Sequence, residues 1–289
     1  MKIGLAFPNH GPDASEATRV LPAKLEALGY NSIWFTDHVI GHDSFVDSKS
    51  DNSYGPQWFE PLTCLSYAAA TTTRIKLGMG IMVVPYRHPV MAAKILSTLD
   101  QLSDGRVIAG IGTGWCQPEF EALGTGHLFE KRGPVTDEAL AIMQKCWQGG
   151  TVSWDGEYFS FPEIEFSPTP VQESLPIWAG SLGTARAPLR RVARFADVWH
   201  PAAISPEEMR DGGEMLDEMA GRKITRTIRV GDNLEPQVDH LPALVNAYAE
   251  AGCEEVVLDF TVFRKSLEAP DAVHRFEEKA SQLKELLGY

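Results

Sequence analysis

Apolar positions along this chain come in two alternating textures. Short β-rich runs, several of them apolar at consecutive positions, alternate with longer segments whose apolar residues recur at helical spacing. Eight runs have the strand texture: "KIGLAF" (2–7), "SIWFT" (32–36), "IKLGMGIMV" (75–83), "RVIAGIG" (106–112), "LPIWAG" (175–180), "ADVWH" (196–200), "RTIRV" (226–230) and "EEVVLDF" (254–260). Consecutive apolar residues mark strands covered on both faces, as in a parallel sheet. The helical segments "ASEATRVLPAKLEALG", "HPVMAAKILSTLDQLSDG" and "DHLPALVNAYAEAG" end on Gly29, Gly105 and Gly252, where a helix C-cap belongs. Eight βα units in 289 residues predict an α/β fold, a closed (β/α)8 TIM barrel forming one domain over residues 1–289. An open doubly wound sheet is the alternative.

The spacing is broken once. Residues 113–174, after the fourth strand, hold a helix near "VTDEALAIMQKCW" and two β-prone runs joined at Asp155-Gly156, a hairpin signal. This reads as an insertion leaving the C-terminal face of the barrel, placed to wall a pocket.

Composition then excludes several classes. The chain is 44% hydrophobic and 22% charged, with a net charge of −13 spread without blocks. That argues against nucleic acid or an anionic membrane as partner and leaves a small-molecule substrate. Cys64, Cys116, Cys146 and Cys253 form no CxxC and read as reduced core thiols. With no signal-like segment and no apolar run approaching a membrane span, a cytoplasmic protein is expected.

In a barrel, reactive groups lie just beyond the strands. Asn9 and His10 follow the first strand, Asp37 and His38 the second, Arg87 and His88 the third, Gly112 to Trp115 the fourth, and His200 closes the sixth. His42, His127, His240 and His274 read as ordinary structural or solvated side chains. After the fifth strand, Gly180, Ser181 and Gly183 precede a helix start, so backbone N–H groups and the helix dipole are placed to hold a phosphate. Arg186, Arg190, Arg191 and Arg194 follow, and a solvated helix face explains them equally well. Gly78 and Gly80 interrupt a buried strand, the mark of a bulge or of a flat ligand pressed close. Signatures of serine hydrolases, P-loop proteins and HExxH metalloenzymes are absent. Gly110, Gly112 and Gly114 do not make a dinucleotide fingerprint.

Four ordered stretches, "GYNSIWFTDH" (29–38), "IKLGMGIMVVPYRHP" (75–89), "STLDQLSDGRVIAGIGTGWCQPEFEALG" (97–124) and "PIWAGSLGTARAPLRRVARFADVW" (176–199), resemble the bacterial luciferase-like monooxygenase superfamily. Within it, they are most similar to the oxidoreductases that use the deazaflavin coenzyme F420. The resemblance implies hydride transfer between coenzyme F420 and a small organic substrate, with an FMN-dependent monooxygenase as the alternative. It places the cofactor ring across the C-terminal mouth, against a bulge with a cis bond between Gly80 and Ile81. Gly112 and Gly114 would let the chain pass close to the ring, Trp115 would line the wall, and Gly180, Ser181 and Arg186 would grip phosphate. It makes His38 the candidate proton-transfer group, with Asp37 orienting it or touching the cofactor, and His10 and His200 behind. It also implies a homodimer. Trp115 stands where some deazaflavin dehydrogenases carry a glutamate, so a sugar-phosphate dehydrogenase is not implied, and Glu119 matches a helix-start position. A metal-dependent barrel hydrolase and a non-catalytic flavin-binding relative are further alternatives.

Overall fold

The eight predicted strands close on one another. In a computed structural model, which describes residues 1–6, 9–41, 57–231, 240–259 and 272–288, they form a continuous parallel barrel. The barrel strands are β1 (Lys2–Ala6), β2 (Ser32–Phe35), β3 (Lys76–Met79), β5 (Val107–Gly112), β8 (Ile177–Leu182), β9 (Val198–Ala202), β10 (Thr225–Val230) and β11 (Cys253–Asp259). Their spatial order runs β3-β2-β1-β11-β10-β9-β8-β5, and pairing of β5 with β3 shuts the cylinder. β4 (Met82–Val83) carries the third barrel strand onward past a cis peptide bond between Gly80 and Ile81, and pairs with the end of β5. The open-sheet alternative is thereby set aside. Phe7 and Phe260, at the ends of two predicted runs, lie outside the described residues.

Helices wrap the outside. They are α1 (Ala14–Leu28), α2 (Pro61–Thr71), α3 (Pro89–Leu102), α4 (Gln117–Ala122), α5 (Arg132–Trp147), α6 (Arg186–Phe195), α7 (Pro206–Ala220), α8 (Leu241–Glu250) and α9 (Ala272–Leu287). Gly29 caps α1 in the left-handed conformation at φ 83°, as its position in the sequence predicts.

Inside the barrel, Ala6, Trp34, Ile108, Trp178, Val198 and Val257 form a separate apolar cluster. Trp34 explains one glycine. A Cβ on Gly78 would lie 2.5 Å from Trp34 Cε3, so this glycine makes room for an indole of the protein itself rather than for a flat ligand.

The insertion divides into two parts. Its first part, α4 and a 3-10 turn at Gly126–Lys131, lies beside the strand ends. Its second, the antiparallel hairpin of β6 (Gly150–Asp155) and β7 (Ser160–Phe166), packs against α3 and α5. Val152 and Phe166 are buried in the outer apolar layer and draw the hairpin there. Glu138 of α5 holds its turn, accepting from Trp154 Nε1 at 3.1 Å and from the backbone N–H groups of Glu157 (3.1 Å) and Phe159 (2.9 Å). Of the segment expected to wall a pocket, the part around α4 lies at the strand ends, and the hairpin meets them at His88, whose ring centre is 5.5 Å from that of Phe159.

Candidate active site

The stretch after β2 is pinned on three sides. Asn9 spans the first two strand ends, donating from Nδ2 to the carbonyls of Thr36 (2.9 Å) and Phe59 (2.8 Å) and accepting from Thr36 N–H at 3.1 Å. Asp37, buried, accepts from Val83 N–H at 2.8 Å and from both Nη atoms of Arg87 at 2.6 and 2.9 Å. Both its oxygens are thus engaged by β4 and the residue that follows Tyr86. Arg87 also reaches Glu60 at 3.2 Å.

His38 meets Glu119 of α4. Nδ1 lies 2.9 Å from Glu119 Oε2, and the same carboxylate accepts from Val39 N–H at 2.6 Å and from the Tyr86 hydroxyl at 2.8 Å. Glu119 is completely buried, and burial by itself would raise its carboxyl. The hydrogen bond from His38, with the His38 charge whenever that ring is protonated, and the bonds from Val39 and Tyr86 outweigh burial and hold it below the ordinary range. The Tyr86 hydroxyl moves upward, through burial first and then through its bond to Glu119.

Aromatic rings surround this pair. The His38 ring centre is 4.5 Å from that of Trp58 and 5.8 Å from that of Trp115, and His10 is 4.6 Å from Trp58. Trp115 is 52% exposed, so one indole face of this cluster is open to solvent. Gly114, at φ +77°, supplies the conformation that brings the chain to Trp115, and a Cβ there would lie 2.6 Å from Val83 Cγ1.

Ile81 is half-buried and seated on two glycines from other strands. A Cβ on Gly112 would lie 2.2 Å from Ile81 Cδ1, and one on Gly180 would lie 2.6 Å from Ile81 Cγ2. Ile81 thus takes up the room beside Gly112, which the resemblance puts close to the ring, and beside Gly180, which it puts in the phosphate grip. Ser181 turns back into the protein, donating to Gly183 O at 3.1 Å and accepting from Trp199 Nε1 at 3.0 Å. The first N–H groups of α6 have no side-chain cap at Ala185. Arg186, Arg190 and Arg194 are exposed, with the Arg194 guanidinium 4.7 Å from the Phe195 ring, whereas Arg191 pairs with Asp137 and ties α6 to α5.

The remaining histidines separate cleanly. His88 caps α3, accepting from Val90 N–H at 3.3 Å, and burial lowers its imidazole. His127, His240 and His274 are exposed, and His42 lies outside the described residues. His200 is buried in the barrel with its ring stacked on Trp34 at 4.9 Å and its Nδ1 2.7 Å from Thr227 Oγ1. Burial, with the charge of Arg229 behind it, pushes His200 down to about 3, so it stays neutral. Its Nε2 has no hydrogen-bond partner among the described residues.

Three residues at the mouth carried no expectation or a weak one: Glu119, Trp58 and Arg229. Arg229 of β10 reaches across the barrel interior, bonding Asp259 Oδ2 at 2.6 Å, Thr36 Oγ1 at 3.3 Å and the Gly80 carbonyl. A signal existed, because strand alternation puts Arg229 on the same face as Thr227 in "RTIRV". A charge on an inward face demands a partner. Among the described residues no three metal-ligating side chains gather, all four cysteines are buried outside any disulfide, and no helix is long and apolar enough to cross a membrane. A cavity at the opposite end of the barrel, between Lys2, Glu26, Arg74 and Lys284, is lined by no histidine, cysteine or serine.

Comparison with known proteins follows the same geometry. The chain is similar to the F420-dependent hydroxymycolic acid dehydrogenase of Mycobacterium tuberculosis strain H37Rv, 28% identical over 175 residues, 60% of this chain and 45% of that one. It is similar also to the pyrimidine monooxygenase RutA of Rhizobium rhizogenes, 33% identical over 195 residues, 66% of this chain and 50% of that one. The chain spans under two thirds of the length of the curated relatives it matches, 63% for an uncharacterized protein of the same M. tuberculosis strain. Among solved structures, the fold matches the monooxygenase RslO1 of Streptomyces bottropensis (TM-score 0.76, 19% identity, 99% of this chain and 97% of that one). It matches an F420-dependent secondary alcohol dehydrogenase bound to an F420-acetone adduct (TM-score 0.72, 17% identity, 97% and 98%). It matches too the oxygenating constituent of 3,6-diketocamphane monooxygenase from Pseudomonas putida in complex with FMN (TM-score 0.65, 16% identity, 100% and 89%). The profile of one family covers residues 1–287, and this chain belongs to it: the luciferase-like monooxygenase family.

Proposed function

We propose that this protein is an oxidoreductase that transfers a hydride between coenzyme F420 and a small organic substrate bound at the C-terminal mouth of the barrel. The observation that carries the reading is the His38–Glu119 pair, a histidine oriented by a buried carboxylate beside the exposed Trp115. Similarity to the F420-dependent hydroxymycolic acid dehydrogenase favours the deazaflavin.

The residues at the mouth fit such a cofactor. Ile81, propped on Gly112 and Gly180, would form an apolar bed for a flat ring, and Trp115 would close one side. The uncapped start of α6 beyond Gly183, with Arg186, would meet an anionic tail. When bound, a deazaflavin supplies a carbon centre that accepts or gives two electrons as hydride and reacts poorly with oxygen. His38 would then take the substrate proton at Nε2 as the substrate is oxidised, and return it in the reverse direction. The aromatic rings around it would exclude water.

A second reading is an FMN-dependent monooxygenase, favoured by the 33% identity to pyrimidine monooxygenase RutA and by the fold match to an FMN complex. In either case the family resemblance favours a homodimer.

The test of His38 is a split between binding and chemistry. His38→Ala should leave coenzyme F420 affinity within a few-fold and lower turnover by about 10² to 10⁴. Weakened binding with nearly normal turnover at saturating coenzyme would contradict the role.

A further inference from the structure

We propose that Glu119 is a positioning residue that fixes the tautomer of His38, committing Nδ1 as a hydrogen-bond donor and leaving Nε2 as the nitrogen that accepts a proton. The functional half of this inference rests on the role proposed for His38 above.

Donors crowd around one carboxylate. Three groups converge on Glu119: Val39 N–H on Oε1 at 2.6 Å, and the Tyr86 hydroxyl and His38 Nδ1 on Oε2 at 2.8 and 2.9 Å. Glu119 is held ionised by the hydrogen bonds it accepts and is fully buried, so it has no proton to give. A 2.9 Å contact between Nδ1 and a carboxylate oxygen is then a hydrogen bond only if Nδ1 carries the hydrogen. The other tautomer would set a lone pair against a negative charge. Neutral His38 therefore has its basic lone pair on Nε2.

The backbone fixes the same relation. Val39 N–H, one residue beyond His38, is gripped by the same carboxylate, so chain and ring are held together. Pro118, the second residue of α4, lies just before Glu119, whose carboxylate is in the first turn of the helix.

Glu119→Gln gives a specific expectation. A glutamine keeps one oxygen and replaces the other with a donor. Val39 N–H can only donate, so the amide oxygen must take the Oε1 place and the NH₂ group the Oε2 place. Tyr86 adapts by turning its hydroxyl to accept. His38 can accept at Nδ1 only by moving its hydrogen to Nε2, which removes the lone pair the reaction needs.

The test is ¹⁵N NMR of protein labelled at histidine, recorded without coenzyme at a pH where His38 is neutral, with His38→Ala used to assign the signal. Expected in the parent protein is a protonated Nδ1 and an unprotonated Nε2. Glu119→Gln is expected to reverse the two, to bind coenzyme F420 within a few-fold of the parent, and to turn over at least 100-fold more slowly, while Tyr86→Phe keeps the parent tautomer. An Nε2–H tautomer in the parent overturns the proposal, and it does so even if Glu119→Gln fails to fold. An unreversed tautomer in folded Glu119→Gln, or a reversed one with undiminished turnover, overturns it as well. Because the spectra are recorded without coenzyme, the tautomer they report does not depend on whether the protein uses coenzyme F420 at all.

Discussion

Arg87 and Asp37 face each other as a two-pronged ion pair, Nη1 lying 2.6 Å from Oδ2 and Nη2 2.9 Å from Oδ1, at the edge of the barrel mouth. Asp37 also accepts from Val83 N–H, so one carboxylate joins the end of β2 to the strand that carries Ile81 onward. Its position next to His38 makes it look like a reacting group in the sequence; its partners make it a clamp. Asp37→Asn should leave Arg87 with a largely buried, half-compensated charge and cost about 3 kcal/mol of stability, readable as a lower urea midpoint. Adding Arg87→Met should recover part of that loss, since removing both charges is far less costly than removing one. A single variant within about 0.5 kcal/mol of the parent would contradict the clamp.

The two glycines under Ile81 make a second prediction. Gly180→Val should weaken cofactor binding, because the new side chain enters space that Ile81 Cγ2 fills. If that is the reason, Ile81→Ala in the same chain restores part of the affinity. No recovery in a folded double variant would show that the glycine serves a direct approach of the ligand instead.

His200 predicts an acid sensitivity. In the unfolded chain its imidazole returns to the ordinary value of 6.5, while burial and then Arg229 hold it at about 3 in the native state. Between those values the unfolded chain binds a proton that the native state refuses. Stability therefore falls as pH drops through that window, with a limiting slope of about 1.4 kcal/mol per pH unit from this group. His200→Gln, which cannot titrate, should show a shallower fall in urea unfolding between pH 7 and 4. Equal slopes would contradict the assignment.

The architecture was legible because it is local. Runs such as "RVIAGIG" and Gly29, Gly105 and Gly252 at helix ends carry their own signals, and eight repeats leave few ways to arrange them. Residues just beyond strand ends were legible for the same reason, which is why His38 and Trp115 stood out. What was hidden is what closure of the barrel creates. Nothing in "CQPEFEALG" says that Glu119 lies against His38, 81 residues earlier, and nothing near Gly80 announces Arg229, 149 residues later. The glycines show the same limit. Gly78 has its room filled by Trp34, and Gly112 and Gly180 by Ile81, because a missing side chain records that space is needed and not what needs it.

The most direct test of the central claim is an equilibrium titration of the purified protein with oxidised coenzyme F420 and, separately, with FMN, followed by quenching of tryptophan fluorescence. Trp115, half-exposed at the mouth, is the reporter, and Trp115→Phe the control. The proposed function predicts saturable quenching by coenzyme F420, largely lost in Trp115→Phe, and binding of FMN at least about tenfold weaker, a difference of about 1.4 kcal/mol. Tight, saturable binding of FMN with no response to coenzyme F420 would contradict it.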